Sequence, residues 1–180
     1  AAANVGAVLS YPLYRPGKTV DIIIEPTLMA AFGTSDVNEA DIPVEDSLLF
    51  EFDESVLFES NGYAGFDLYD DGNKASAGLS ASMRWKNGVS LTALGGRRWR
   101  SESSSFLSEA SNLDGTVSDW VAGFSADFGN PLRIETRVRL DDDDLNLNRI
   151  DARVSSRIGR LNGSVRYYKL DDRLSPLDLS

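Results

Sequence analysis

The sequence predicts an all-β fold: an antiparallel up-and-down transmembrane β-barrel wall of about eight strands. Three observations predict it. Apolar and polar residues alternate with a period of two along most of the chain. No segment shows a helical period, and short and long connections follow each other in strict turn. The chain's 180 residues suit one domain.

Strands are expected near residues 3–11, 19–32, 74–86, 89–99, 117–128, 131–140, 147–158 and 161–170. The clearest is the sixth, where Leu132, Ile134, Thr136, Val138 and Leu140 alternate with Arg133, Glu135, Arg137 and Arg139. A helix would scatter that order around its circumference, whereas a strand sorts it onto two faces. The seventh repeats it: Ile150, Ala152, Val154 and Ile158 fall on one face, Arg149, Asp151, Arg153 and Arg157 on the other. Upstream, Trp120, Ala122, Phe124, Ala126 and Phe128 alternate with Asp119, Ser125 and Asp127. Ala75, Ala77, Leu79, Ala81, Met83 and Trp85 alternate with Lys74, Ser76, Ser80, Ser82 and Arg84. Several of these runs reach the roughly 9 to 11 residues that a tilted strand needs to cross a bilayer. Soluble strands usually have about five or six.

The connections carry as much information as the strands. Asn87-Gly88, Gly129-Asn130 and Gly159-Arg160 read as tight hairpin turns, and the first connection, through Pro12, Pro16 and Gly17, is also short. Between them lie Gly33 to Asn73, Ser101 to Thr116 and Asp141 to Asn146. In a meander alternate connections share an end, so one end carries only turns and the other carries long polar loops. Outer-membrane barrels sort their connections in this way, with short periplasmic turns and long external loops. A small passive outer-membrane pore and a soluble carbohydrate-binding β-sandwich are the alternative readings.

Composition removes several classes of function. Lys and Arg number 18 against 28 Asp and Glu, for a net charge of −10, the opposite of the basic face that a nucleic-acid partner requires. Without Cys or His there is no disulfide, thiolate nucleophile, imidazole base or common zinc site. No stretch approaches the roughly 18 apolar residues of a spanning helix. The first residues, AAANVGAVLSYPL, lack the charged start and continuous apolar run of a signal peptide, so a leader is expected to have been removed or the chain to be an excerpt.

The segment Ile42 to Leu79, IPVEDSLLFEFDESVLFESNGYAGFDLYDDGNKASAGL, goes beyond pattern. It resembles the barrel domain of the LptD family, the lipopolysaccharide-assembly outer-membrane proteins also called organic solvent tolerance proteins. The residues that carry the likeness are Ile42, Pro43, Glu45, Asp46, Ser47, Glu51, Phe52, Asp53, Leu57, Phe58, Asn61, Gly65, Phe66, Asp67 and Gly72. A second block is similar: Gly96, Arg97 and Trp99, then Ser118-Asp119-Trp120-Val121, then Arg139-Leu140-Asp141. Val44 stands where the family has Asn, Leu68 where it has Arg, and Ala110-Ser111-Asn112-Leu113 where Ser-Gly-Leu is common. The chain ends in Ser180, where outer-membrane barrels commonly end in an aromatic.

The resemblance implies that residues 1–180 are a fragment of a larger outer-membrane barrel, with an external loop at about 33–73 and without the family's periplasmic jellyroll and its cysteines. It implies insertion of lipopolysaccharide into the outer leaflet, with no reaction chemistry and no cofactor. The implied partners are lipopolysaccharide, a lipoprotein plug in the lumen, and periplasmic bridge proteins that dock on the jellyroll. The motif loop, rich in Leu and aromatics, is expected to fold over the barrel mouth as a lid.

Three constellations are candidates for contact with cargo. Arg97, Arg98 and Arg100 flank Trp99 near the external end of a strand, where guanidinium forks suit lipid phosphates and tryptophan suits the interface. The competing reading is arginine snorkelling at a barrel rim. Arg133, Glu135, Arg137, Arg139, Arg149, Asp151, Arg153 and Arg157 are expected to face the lumen, either as a hydrated conduit for sugar or as a wall braced by ion pairs. Asp141 to Asp144, with Asp70-Asp71 and Asp171-Asp172 at the same end, offers hard oxygen ligands, but its spacing matches no calcium loop and a solvated turn explains it as well. No metal site is assigned. Carboxylate pairs such as Glu51 with Asp53, or Asp53 with Glu54, invite a glycosidase reading, yet the sequence sets no carboxyl separation and no catalytic residue is assigned.

Overall fold

The computed structural model describes residues 2–35, 57–59, 72–101, 115–129 and 132–171. These residues form one antiparallel sheet of nine strands and contain no helix. The strands are β1 (Ala2–Ser10), β2 (Leu13–Arg15), β3 (Val20–Ser35), β4 (Gly72–Trp85), β5 (Ser90–Arg100), β6 (Trp120–Asp127), β7 (Leu132–Leu140), β8 (Leu147–Ile158) and β9 (Leu161–Leu170). Each pairs with its neighbour in the chain, save that β1 and β2 both pair with β3. The sheet is open, with β1 and β9 at its edges.

The expected strands therefore form, with one change at the start. β2 continues the line of β1 along β3, so the first turn lies at residues 16–19 and Pro12 is a break within one arm. Proline has no N–H to give the ladder, which interrupts pairing there, while the Tyr11 N–H still reaches Pro26 O at 3.1 Å. The other three turns contain Gly88, Gly129 and Gly159, all with positive φ, the backbone conformation that tight hairpins demand. The long connection is shorter than expected at both ends, because β3 runs to Ser35 and β4 starts at Gly72.

Register carries the alternation across the whole sheet. Leu9 faces Leu28, Leu28 faces Ala77, Leu79 faces Gly95, Gly95 faces Ala122, Ala122 faces Val138, and Val138 faces Ile150. Directly opposed residues in an antiparallel pair point to the same side. One face is thus apolar from β1 to β9, and the other carries nearly all the charge.

Burial is inverted relative to a soluble sheet. On the apolar face Val5, Leu9, Leu28, Leu79, Phe124, Leu161 and Val165 are exposed, the last two by 77% and 73%. On the charged face Lys74, Ser76, Arg98, Arg139 and Asp151 are buried, together with Met29, Ala31 and Val121.

Candidate functional site: the charged face and its loop segment

The site begins with three small residues. Gly78 and Gly96 are opposed in β4 and β5, and Ser76 is opposed to Arg98 one pleat further toward the loops. This leaves a shallow seat in the charged face, filled by residues 57–59 of the long loop. A Cβ on Gly96 would lie 2.7 Å from Leu57 Cδ2 and 2.3 Å from the Ala77 carbonyl oxygen. One on Gly78 would lie 2.7 Å from Phe58 Cζ. Leu57 is 0% exposed in this seat.

Arg98 holds the segment in place. Its guanidinium donates to Leu57 O at 3.0 Å, to Glu59 O at 2.7 Å and to Ser76 Oγ at 3.0 Å. Its own backbone N–H donates to Ser118 Oγ at 2.9 Å, and Ser118 N–H returns a bond to Arg98 O at 2.9 Å. The side chain is 0% exposed, and a guanidinium is tolerated at that depth only because carbonyls and hydroxyls surround it.

The three arginines around Trp99 do not share a surface. Consecutive strand residues point to opposite sides, so Arg97 and Trp99 stand on the apolar face while Arg98 and Arg100 stand on the charged one. Arg97 lies over the Trp120 ring at 4.9 Å and the Trp99 ring at 5.7 Å. It donates to Ser118 O at 3.1 Å and pairs with Asp142 at 3.3 Å. Two rings, a carbonyl and an acid thus surround it on this face. Arg98 is spent on the loop segment.

The residues expected to line a lumen do share the charged face. Arg137 is opposed to Asp151, Glu135 to Arg153, and Arg139 to Arg149. The acid's closest partner is one that sequence reasoning missed: Arg166 of β9 makes a two-pronged bond to Asp151. Alternation along β9, with Arg166 opposed to Arg153, was the available signal. Arg139 pairs with Asp119 at 3.1 Å, and Asn148 donates to Asp119 at 2.8 Å. Burial pushes the Asp119 carboxyl above its ordinary value, opposed by that Asn148 hydrogen bond and by the Arg139 charge. Arg149 lies over the Tyr168 ring at 5.3 Å.

Carboxylate oxygens of Asp141, Asp142 and Asp143 lie within 4.8 Å of one another. Two of them are already engaged: Asp141 Oδ1 accepts from Asp143 N at 3.0 Å and Asp144 N at 3.3 Å within the turn, and Asp142 pairs with Arg97. Those two backbone N–H groups hold the Asp141 carboxyl below its ordinary value.

Of the motif-loop residues, Leu57, Phe58 and Gly72 are described, Gly72 with φ of 81° at the start of β4. Pro43, Glu45, Asp46, Ser47, Glu51, Phe52, Asp53, Asn61, Gly65 and Asp67 lie outside the described residues, as does the body of the expected lid.

A family model described as LPS transport system D matches residues 2–177, nearly the whole chain. The chain belongs to the LptD family. Membership places it in lipopolysaccharide transport and outer-membrane biogenesis, in a family whose work is transport and assembly. No curated protein matches the chain. In this LptD-family sheet the motif that carries the sequence likeness includes the Leu57-Phe58 pair, which is the pair seated over Gly78 and Gly96.

Two outcomes follow. Arg98→Ala removes the donor that three acceptors share and is expected to loosen segment 57–59 by about 2 to 4 kcal/mol, the scale for orphaning buried polar groups. Limited proteolysis should then cut near Leu57 while the β4–β5 hairpin stays protected; an unchanged cleavage pattern would count against the clamp. Asp141 supports its turn fully above the ordinary carboxylate value of 3.8, and the support is lost as pH falls through its depressed folded value. Protection of the Asp143 and Asp144 amides from hydrogen exchange should persist to pH values below 3.8 and vanish at neutral pH in Asp141→Ala.

Proposed function

We propose that this sheet is part of the wall of a transmembrane β-barrel and that the barrel inserts lipopolysaccharide into the outer leaflet of the outer membrane. The observation that carries the reading is the inverted burial: a continuous exposed apolar face backed by a charged face with buried arginines. Water on both sides would leave the apolar face uncovered, whereas lipid on one side and a hydrated lumen on the other suits both faces.

Dimensions agree. On the apolar face of β6, Trp120 stands at the loop end and Phe128 follows just past the turn end. Their separation is about 27 Å along the strand, at roughly 3.4 Å per residue. A tilt of about 40° turns that into about 21 Å of membrane, near the height of the apolar band between aromatic girdles. Among the described residues no strand pairs with the outer edge of β1 or of β9. Hydrocarbon does not tolerate unpaired edges, so further strands complete the barrel.

In this reading the hairpin turns face the periplasm, and the loops at about 33–73, 101–116 and 141–146 face outward. Glu135, Arg137, Asp151 and the arginines beside them line the conduit for the saccharide part of the cargo. A lipoprotein plug occupies the lumen, and periplasmic bridge proteins deliver cargo through the family's jellyroll.

Depleting the protein in cells should strand lipopolysaccharide on the periplasmic side and admit large hydrophobic antibiotics. Normal surface lipopolysaccharide after full depletion would overturn the reading, and a fall in small-solute uptake alone would favour a passive pore. The faces are tested separately with labels at Ile134, Thr136, Arg137 and Val138, read against lipid-confined and aqueous quenchers. The even positions should meet lipid and 137 should meet water; even positions that meet neither belong to a protein core and not to a membrane. Val138→Arg should cost roughly 2 to 4 kcal/mol if the position lies near the midplane.

A further inference from the structure

The apolar face carries charge of one sign. Followed by register from Leu9, Leu13 and Arg15 on the first arm to Val165 and Lys169 on β9, it includes no Asp or Glu of any described strand, in a chain of net charge −10. Its charged residues among the described strands are Arg15, Arg97 and Lys169. Arg97 and Lys169 stand at the loop end, and Arg97 is already held by Ser118 O and Asp142. Arg15 stands at the turn end, opposed to Ile22, which is opposed in turn to Met83.

Arg15 is exposed and makes no hydrogen bond or ion pair to another described residue. The same holds for Lys18, which follows it across Pro16 and Gly17. The turn between them is tight, because a Cβ on Gly17 would lie 2.1 Å from Val20 O. The acid closest to them in sequence, Asp21, is withheld: it faces the charged side, where it accepts from Gly17 N–H at 3.1 Å and pairs with Lys86. Two cations are thus left free beside an apolar surface. That surface has the composition of a membrane interface, with Leu13 exposed next to Arg15 on the same face and Trp85 ending β4 opposite Val20.

We infer that this corner is a binding site for the headgroup of an anionic glycerophospholipid in the leaflet at the turn end. The Arg15 fork takes two oxygens of the phosphate and Lys18 adds a second charge, while Leu13 and Trp85 meet the glycerol and the first methylenes. The missing acids decide which headgroup is preferred. A zwitterionic lipid brings an ammonium into a place that holds two cations and no free carboxylate, whereas a lipid of net negative charge brings nothing that is repelled. The inference rests on the proposed membrane wall and adds to it the lipid that one corner of the wall selects.

The test uses the full-length protein in vesicles of equal parts phosphatidylethanolamine and phosphatidylglycerol, with folding checked by heat-modifiable gel mobility. A benzophenone side chain replaces Met83, in the same cross-strand row as Arg15, and in a second protein it replaces Phe128, at the turn end of the same face but away from both cations. After illumination the captured lipids are identified by mass spectrometry. Phosphatidylglycerol should be enriched about fivefold or more in adducts at Met83 over those at Phe128. Arg15→Gln/Lys18→Gln should bring the two ratios together, and Arg15→Lys should retain part of the enrichment, since the charge stays while the fork is lost. Equal ratios in the parent protein, unchanged enrichment in the double variant, or capture of a second copy of the chain in place of lipid would each overturn the site. The quencher labels at Ile134, Thr136, Arg137 and Val138 judge the wall separately. Lipid contact there without enrichment at Met83 keeps the wall and discards the site, and even positions shielded from lipid remove the wall on which the site rests.

Discussion

The two-residue period of a strand, propagated without a break by cross-strand register, is the constraint on which the rest of this structure depends. Once Leu28 is opposed to Ala77 and Val138 to Ile150, most apolar side chains in the sheet are committed to one side and nearly every charge to the other. A one-residue slip in any ladder would invert that strand, placing arginines among exposed valines and leucines. No second layer is packed on the apolar face among the described residues, and most of the buried residues are on the charged side. The sheet therefore presents one exposed apolar face and one charged face, in a chain whose family works in outer-membrane biogenesis.

Burial on the charged face creates a second requirement, met locally. Arg98 has lost its water, so the Leu57 and Glu59 carbonyls and the Ser76 hydroxyl accept its hydrogen bonds. That arrangement exists only because Gly78 and Gly96 leave room for Leu57 and Phe58 against the backbone. The guanidinium and the glycines act as one unit: the glycines allow the approach, and the arginine makes it stable. Its neighbour in sequence, Arg97, meets a different solution on the other side, with two tryptophan rings and Asp142 around it. One peptide bond separates an arginine that ties a loop segment to the charged face from one held between tryptophans on the apolar face.

Arginine is used differently again in β7, β8 and β9. There the like-charged opposed pairs are relieved piecemeal, by Asp119 at the loop end and Asp151 in the middle, with Tyr168 under Arg149. Toward the turns Asp127 and Glu135 both pair with Arg133, at 3.8 and 3.0 Å, and serines stand beside Arg153 and Arg157.

The sequence by itself determined the strands, their alternation and the parity of the loops, because a period of two is a local property that needs no knowledge of partners. It also contained, unread, the opposed fates of Arg97 and Arg98, since adjacent strand residues must face apart. It placed Arg133, Arg137, Arg153 and their neighbours on one face, and missed Arg166 only because β9 was not read with the same rule. The tertiary structure alone decided where Leu57 goes. Its partner Arg98 is 41 residues away, and the seat between them consists of missing side chains, which leave no pattern in a sequence. It alone decided which acid answers which arginine as well, because Asp151 had Arg137 opposite on one strand and Arg166 within reach on the next, and only the register and twist of a folded sheet choose between them.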